Sequence, residues 1–586
     1  MSKLLGWFFN AIMRNRTAAF ARDCECPRAA QERSLRAILR RNASTDFGRA
    51  AGFEKLSCIK GENLWCAFRA AIPIRACEEF LPWVDRMKAG ERDVLVPGRP
   101  QMFSLTSGTT SKPKFCPVTR AFIMEHHRQH LLWLHRCCQD HPSVYNGKSL
   151  VVASPAVMGM TAGGIPYGSM SGKQLETQSI PVRRRLAAPP EIFSLSKAED
   201  RWFDLLLFAL AQENLRTVTA INPSTLVLLA DRLKRNAEAL LDALERGHPA
   251  NRNASFPPAR RELARRFRPC PVRARRLREI FRLDGMLSPA AAWPNIQLIL
   301  TWQGGSAAFY LPKVEELWGP VPRRCLGLRA SEGTFSLPMS DNNPAGILAV
   351  GGHVVEFLPA SDEPPAPDAV TLLADQLERE ERYRMVITTS GGFYRYDLGD
   401  QIRVVGFRRK TPLIVFERRA GAVLSATGEK MTETQAMEAM RSAAAGLSLN
   451  GFSLTWELIG GRAGYVVAVE CRNGEETLAR DGNAFRRRLR ELASSFDAEL
   501  GRLNCEYAAK RQDGRLAPVR CLLLPDCFYE ELRTRLAASG RPDGQLKYPI
   551  LIPPSHPDLA LFAGCGNSMT GTGGTHPGFV SVSSSV

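Results

Sequence analysis

Between Ser104 and Pro117 the chain reads SLTSGTTSKPKFCP. Five hydroxyl residues, Thr106, Ser107, Thr109, Thr110 and Ser111, surround Gly108, and Lys112 and Lys114 follow. The stretch comes after the apolar run VLVP and the strand-like QMFSL. Hydroxyls and free backbone N–H groups in a tight turn form a concave set of donors, and a lysine just beyond adds a point charge. That combination suits a polyphosphate. A solvated linker can share the composition, so the reading depends on what else the chain carries.

At 586 residues the chain is too long for one ordinary core, and two or more domains are expected. No apolar run is long enough to span a bilayer. The opening MSKLLGWFFNAIMRNR places Leu4, Trp7, Phe8 and Ile12 at helical spacing, with Arg14 and Arg16 directly after. It reads as an amphipathic first helix, one able to make weak contact with a membrane surface, and not as a signal peptide. The 15 cysteines are scattered, without paired CxxC motifs. Reduced thiols in a cytoplasmic protein are expected. The net charge of +19 suits anionic ligands and equally a basic surface with no dedicated partner.

The first hundred residues read as helices, with Asn42 to Arg49 as a turn. The middle alternates. SLVVASPAV is a strand, GGIPYGSMSG (Gly163 to Gly172) a glycine-rich loop, and FDLLLFALAQ a helix. TVTAIN is a strand, and a long helix opens on Ser224 as its N-cap. NIQLILTW is a further strand. The alternation argues an α/β fold. After Arg419 the pattern changes to a small α+β unit, with one long helix expected over Glu475 to Leu500. The expected division is 1–419, 420–555 and a Gly/Ser/Thr-rich tail, 556–586, with little to bury and no expected structure.

Two more stretches join the first. RASEGTFSLP (Arg329 to Pro338) puts Glu332 in a loop, where a carboxylate suits Mg²⁺. GGFYRYDLGDQIRVVGF (Gly391 to Phe407) puts Asp400 at a strand–turn junction, where it can accept from both ribose hydroxyls. A phosphate loop, a loop glutamate and a later Gly-Asp, in that order, form the pattern of adenylate-forming enzymes. The details resemble the acyl-acid amido synthetases of the Gretchen Hagen 3 family, known from plant auxin and jasmonate conjugation and found also in bacteria. The family's third motif, TT-x-x-G-L-Y-R-Y-x-x-GD, is similar to TTSGGFYRYDLGD at Thr388 to Asp400. RNASTDFGR, AIPIRACEEFLPWVDRMKAGE, VVEF, TPLIVFERR and GQLKYP fall in the family's order, so the likeness covers about residues 30 to 555. Two departures stand out. The family's second motif resembles Y-x-x-S-E, and Leu328 stands at its tyrosine position, so weaker stacking on adenine is expected. Ser111 stands where glycine is usual.

The resemblance implies a large N-terminal domain of sheets flanked by helices, carrying the ATP and acyl sites, and a small α+β C-terminal domain that moves between half-reactions. It implies ATP-dependent adenylation of a small carboxylic acid, then transfer to an amino acid amine. Thr106, Ser107, Gly108, Thr109, Thr110 and Lys114 would bind phosphates, and Ser331, Asp400, Tyr394 and Arg419 would surround the nucleotide. Glu332 would hold Mg²⁺, and Lys547 would reach the α-phosphate, making Glu332 and Lys547 the catalytic pair. Tyr394 is expected to shape the site more than to react, and Arg395 is as readily an ion-pair partner as a ligand. A ligase for coenzyme A or another thiol shares the first half-reaction. A non-catalytic nucleotide- or nucleic-acid-binding protein on the same fold is the alternative of another class. EHHRQH (Glu125 to His130) has metal-ligand spacing at His126 and His130 but lacks an obvious third ligand, and it reads as a solvated helix face. The arginine-rich 259–282 segment reads as amphipathic helices with a basic surface, and no dedicated nucleic acid is expected.

Overall fold

The computed structural model describes residues 2–106, 114–251, 253, 255–421, 423–427, 429–444, 446–459, 462–512, 514, 516–538, 548–554, 562 and 581–583. The chain divides into two compact units between Glu417 and Arg418.

The first unit opens with helices Ser2–Glu25 and Pro27–Asn42. Ile12, expected on the apolar stripe of the first helix, is exposed, and Met13 is buried instead. The stretch expected as a plain turn contains a short helix, Asp46–Ala50. Thr45 caps it, its hydroxyl accepting from the Gly48 N–H at 3.0 Å. A four-stranded parallel sheet follows, in the order Lys148–Val151, Leu215–Thr219, Leu298–Thr301 and Arg323–Cys325. All of its pairings are parallel, which requires a crossover between successive strands. Helices Ala198–Leu210, Pro223–Arg235, Ala237–Arg246 and Leu311–Trp318 contribute to the core it shares, which holds Trp293 and Trp318 stacked 6.1 Å apart. The expected long helix is therefore two. Asn222, not Ser224, caps the first, accepting from the Ser224 N–H at 3.1 Å, because Pro223 takes the first helical position, where no amide is needed. The break falls at Asn236, whose side chain turns back to the Arg232 carbonyl at 2.9 Å.

Two further sheets frame the site. In one, Met102–Thr106 pairs antiparallel with Lys114–Val118 and parallel with Pro166–Gly168, which pairs in turn with Gly159–Met160. The glycine-rich loop of the sequence reading therefore contains a strand, and Met170–Glu176 begins a helix capped by Ser169. The other is six-stranded, in the order Ser336–Pro338, Gly346–Leu348, Thr411–Arg419, Tyr396–Arg408, Arg382–Thr388 and Val354–Pro359. Its inner face packs on the N-terminal helices through Leu35, Trp65, Phe68, Phe80, Val355 and Ile387.

The second unit is an α+β layer. Strands Leu449–Ile459, Arg462–Cys471 and Leu516–Leu523 stand in that order. Helices Glu433–Ala443 and Gly482–Leu503 flank them. The helix expected over Glu475 to Leu500 is split at Asp481, which caps the second piece by accepting from Ala484 N–H at 3.2 Å. Part of the tail expected to lack structure is ordered. Phe562 is buried in the core of this unit, and Ser581–Ser583 pairs antiparallel with Arg520–Leu522.

Candidate functional site

The phosphate-loop residues Ser107, Gly108, Thr109 and Thr110 lie outside the described residues. Their flanks are described. Thr106 and Lys114 are the last antiparallel pair of the hairpin, so the two ends of the loop are held side by side. Ser104, two residues before Thr106 in the strand, is buried, and its hydroxyl donates to Ser331 Oγ at 3.3 Å. Ser331 in turn donates to the Leu105 carbonyl at 3.3 Å. The second motif is thus seated on the strand that feeds the loop.

That motif is a tight hairpin. Arg329–Ala330 pairs with Gly333–Thr334, leaving Ser331 and Glu332 at the turn. Gly333 is required there, because a Cβ on it would lie 2.5 Å from the His353 ring. Glu332 is buried, and its surroundings register in two thiols. Burial pushes Cys116 well above the ordinary thiol range, and the Glu332 carboxylate, within hydrogen-bond reach, pushes the same way while Lys114 opposes. Cys77 is raised by burial, with Lys114 pulling it down and Glu332 adding to the rise. Lys114, Glu332, Cys77 and Cys116 therefore form one cluster at the loop's exit. A single buried carboxylate with no second acidic ligand fits Mg²⁺, which takes one or two carboxylates and completes its shell with phosphate oxygens and water. Among the described residues no group of three or more His, Cys, Asp or Glu could hold a metal by itself.

The third motif has mostly a different job. Gly391 and Gly392 turn against the loop hairpin and the preceding apolar run. A Cβ on Gly391 would stand 2.9 Å from the Pro117 carbonyl, and one on Gly392 the same distance from Leu95. Tyr394, expected at the nucleotide, is fully buried in the core. Its ring stacks on Phe47 at 4.7 Å, and its hydroxyl donates to the Leu95 carbonyl at 2.5 Å. It packs and cannot reach a ligand, because the aromatic helix-side residues Phe47 and Phe53 close around it. Arg395 resolves as an ion-pair partner. It is 1% exposed, pairs with Glu356 at 3.2 Å, and donates to the Ile72 carbonyl at 2.8 Å. Arg69 pairs with the other Glu356 oxygen at 3.1 Å, and Thr371 also donates to it. Asp397 receives Arg384 bidentately, at 2.8 and 2.6 Å. Asp400 lies inside the strand Tyr396–Arg408 and not at a strand–turn junction. The irregular register there follows from Gly399, whose φ of +75° no ordinary strand residue adopts readily. Asp400 keeps 9% of its surface. Arg419 ends the strand Thr411–Arg419, at the start of the second unit. Lys547 lies outside the described residues. Leu328 is 9% exposed and packs into the core, its N–H donating to Ser336 Oγ at 2.8 Å.

One group was misread from sequence. The helix Arg120–Asp140 carries His126, His130 and Trp133, and these lie on the side of the Glu332 hairpin, with Trp133 buried and the two histidines partly covered. His126 Nδ1 stands 3.0 Å from Thr334 Oγ1, and His130 lies 5.5 Å from Trp133, centroid to centroid. The Arg329 guanidinium sits over the Trp133 ring at 5.2 Å. Burial, then the Arg329 charge, brings His126 down to about 3, with Gln174 opposing, and His130 is well below the usual imidazole range for the same two reasons. Both rings are neutral. Arg329 is brought down to about 10 by burial, opposed only by the thiols of Cys325 and Cys137. Its Nε and Nη2 are sealed from solvent and have no hydrogen-bond partner among the described residues, as is true of His130 Nδ1. Taking a guanidinium out of water costs several kcal/mol even after relaxation. Contact with an indole face in a desolvated setting returns about 2 kcal/mol, less than that cost. The i, i+4, i+7 spacing of the three helix residues carried the signal. What single-sequence reading could not supply was the arginine across from them.

The arginine-rich segment forms helices Pro258–Arg266 and Pro271–Asp284. Arg260 is buried against Asp204 at 2.8 Å, Arg273 donates to the Leu210 and Ala292 carbonyls, and Arg276 and Arg278 pair with Glu213, Asp242 and Glu245. Much of that charge is used inside the fold.

A loop hairpin with its ends clamped, a serine–glutamate turn seated on its leading strand and a late Gly-Asp in an adjoining sheet define the adenylate-forming class. Within it, the chain belongs to the GH3 family: residues 16–323 match its N-terminal domain, 346–419 its central domain and 434–556 its C-terminal domain. An indole-3-acetic acid-amido synthetase of Oryza sativa subsp. indica is 26% identical over 563 residues, covering 90% of this chain and 89% of its own. A jasmonoyl–L-amino acid synthetase of Nicotiana attenuata is 25% identical, covering 71% and 74%. The solved structure of the acyl acid amido synthetase AtGH3.15 in complex with 2,4-DB shares the fold, with a TM-score of 0.80 at 20% identity over 94% of this chain and 95% of that one.

Proposed function

We propose that this chain is an ATP-dependent acid–amino acid ligase. In the first half-reaction a carboxylate oxygen of the acid attacks the α-phosphorus of ATP and pyrophosphate leaves. In the second the amine nitrogen attacks the acyl carbon of the adenylate, AMP leaves, and the amine gives up a proton. The observation that carries this reading is the convergence of Lys114, Ser331 and Glu332 on the mouth of the Ser107–Pro113 loop. Catalysis of this kind is mainly positioning and charge stabilisation. Thr106, Ser107, Gly108, Thr109, Thr110 and Lys114 hold the phosphates, Ser331 fixes the turn against the loop, and Asp400 accepts from the ribose hydroxyls. Arg419 stands at the hinge of the second unit. Bound at Glu332, Mg²⁺ would neutralise phosphate charge. Lys547, in GQLKYP, is assigned to the α-phosphate during adenylation, and the second unit turns about Arg419 between the two steps. Among the described residues no helix is long and apolar enough to cross a membrane, and the described cysteines are unpaired thiols. Those thiols support a cytoplasmic setting.

The test is pyrophosphate release over a panel of carboxylic acids, followed by AMP formation with amino acids or coenzyme A as acceptor. Amino acid-dependent AMP formation is expected. Coenzyme A dependence would replace the amide by a thioester, and silence over the whole panel would remove the enzyme reading. Lys547→Ala should slow adenylate formation far more than aminolysis of a supplied adenylate, because negative charge grows at phosphorus only in the first step. Equal losses in single-turnover measurements of the two steps would remove that role.

A further inference from the structure

The hairpin that presents Glu332 at its turn presents Arg329 at its base, paired across the strands with Thr334. Two residues of strand separate the base from the turn, roughly 7 Å. A group held at Arg329 is therefore set apart from the turn that carries Ser331 and Glu332. The site around Arg329 is built. Trp133 lies under the guanidinium at 5.2 Å and fixes its plane. His126 is tied to Thr334 at 3.0 Å, and His130 adds an unpartnered ring nitrogen. No carboxylate among the described residues pairs with Arg329, although the buried arginines Arg260, Arg324 and Arg395 are each paired with aspartate or glutamate. Nε–H and Nη2–H of one planar fork, both sealed and both without a partner among the described residues, match the two oxygens of a carboxylate.

We infer that the acid this chain activates carries a second carboxylate, remote from the reacting one, and that Arg329 binds it bidentately beside His126 and His130. The inference rests on the acid-activating reading above and names the substrate class of that site as a dicarboxylic acid. Two physical points favour the remote carboxylate over the reacting one. The reacting oxygen must keep a lone pair free to attack phosphorus, and a fork closed on both oxygens would hold it back. The hairpin also sets Arg329 apart from the turn where Ser331 and Glu332 meet the loop. The histidines suit the role because they are neutral. They add hydrogen-bonding capacity without competing for the guanidinium, and they do not repel a carboxylate.

The experiment uses the full chain and three matched pairs: butyrate and glutarate, benzoate and terephthalate, cinnamate and 4-carboxycinnamate. Pyrophosphate release is followed with ATP, Mg²⁺ and a mixture of amino acids, and Tm is measured with each acid in the absence of ATP. A site built to bind a polar group rejects the analogue lacking it strongly, so at least one diacid is expected to exceed its monoacid by about 10²-fold or more in kcat/KM. The same diacid should raise Tm. In R329M the diacid-to-monoacid ratio should fall by a similar factor and the Tm rise should vanish. R329K, which keeps the charge but loses the fork, should recover only part of the ratio, and it keeps the test decisive should R329M fold poorly. Equal use of both members of every pair by the parent, or an unchanged ratio in R329M and R329K, overturns the inference. So does the absence of any Tm rise with any diacid. A Tm rise that depends on Arg329, with no pyrophosphate from any acid, would keep the Arg329 site and remove the ligase reading.

Discussion

Arg395 is buried in the first unit and Arg329, in the same unit, has its Nε and Nη2 sealed from solvent, and the two are treated in opposite ways. Arg395 has Glu356, two backbone carbonyls and Thr371 around it, and Glu356 is shared with Arg69. Arg329 has an indole face, neutral imidazoles and two idle N–H groups. A fold under no constraint but stability would satisfy both. The first arrangement is how a protein buries charge for architecture; the second is how it keeps charge ready for something that arrives later. Conspicuousness in the sequence runs the other way: Arg395 sits in the family's most specific motif, while Arg329 is an unremarked letter in LRASE.

The sharpest way to break this contrast is to remove each charge and measure stability. Arg395→Met strands Glu356 in the core with one partner fewer and should destabilise the chain by about 3–5 kcal/mol. Arg329→Met removes an uncompensated charge, and stability should stay level or rise, by up to about 4 kcal/mol. Urea unfolding of both variants checks the pair, and a comparable loss in each would erase the distinction. A third kind of charged residue should affect rate alone. Glu332→Ala and Asp400→Ala should each cut pyrophosphate release by about 10²-fold or more, with the unfolding midpoint little changed. Near-normal release in both would remove the nucleotide site.

Acid provides a smaller test. Folding holds His126 at about 3, far under its ordinary 6.5, so between those values the unfolded chain takes up a proton that the folded chain refuses. The stability tied to this ring is complete above pH 6.5 and is lost as pH falls toward 3. From pH 7 to pH 5 the loss should be about 2 kcal/mol from His126 alone, with His130 adding in the same direction. Parallel unfolding curves for the parent and His126→Gln across that interval would contradict the burial of this ring. The smallest effect concerns Leu328. An aromatic at its narrow exposed edge should tighten ATP by up to about 1 kcal/mol in Leu328→Tyr. Unchanged or weakened nucleotide binding would mean that adenine is held elsewhere.

The alternation of strand-like and helical runs carried the α/β class, and the order of the three motifs carried the family, because hydroxyl loops and Gly-Gly turns are local chemistry that a sequence displays. Helix breaks at Asn236 and Asp481 hid inside apolar periodicity, which continues across a cap unaltered. Tyr394 looked like a ligand contact because its motif borders the site. Only the packing of Phe47 and Leu95 against it marks it as core. The His126 and His130 face was read as solvated because its partner is about 200 positions away in the chain. Burial at that range comes from tertiary pairing, and periodicity within one helix does not disclose it.

Cys77 and Cys116, beside Glu332, stay protonated at neutral pH and are shut away from solvent, so they make poor nucleophiles. Cys26, Cys58 and Cys66 are the exposed thiols among the described cysteines, and all three lie in the first unit. Of the described cysteines, a maleimide dye should therefore enter those of the N-terminal helices first and leave the neighbourhood of Glu332 untouched. The wild-type chain thus offers handles for fluorescence on its larger unit without a substitution near the nucleotide, and a second dye on the smaller unit would make the proposed rotation visible as a change in energy transfer.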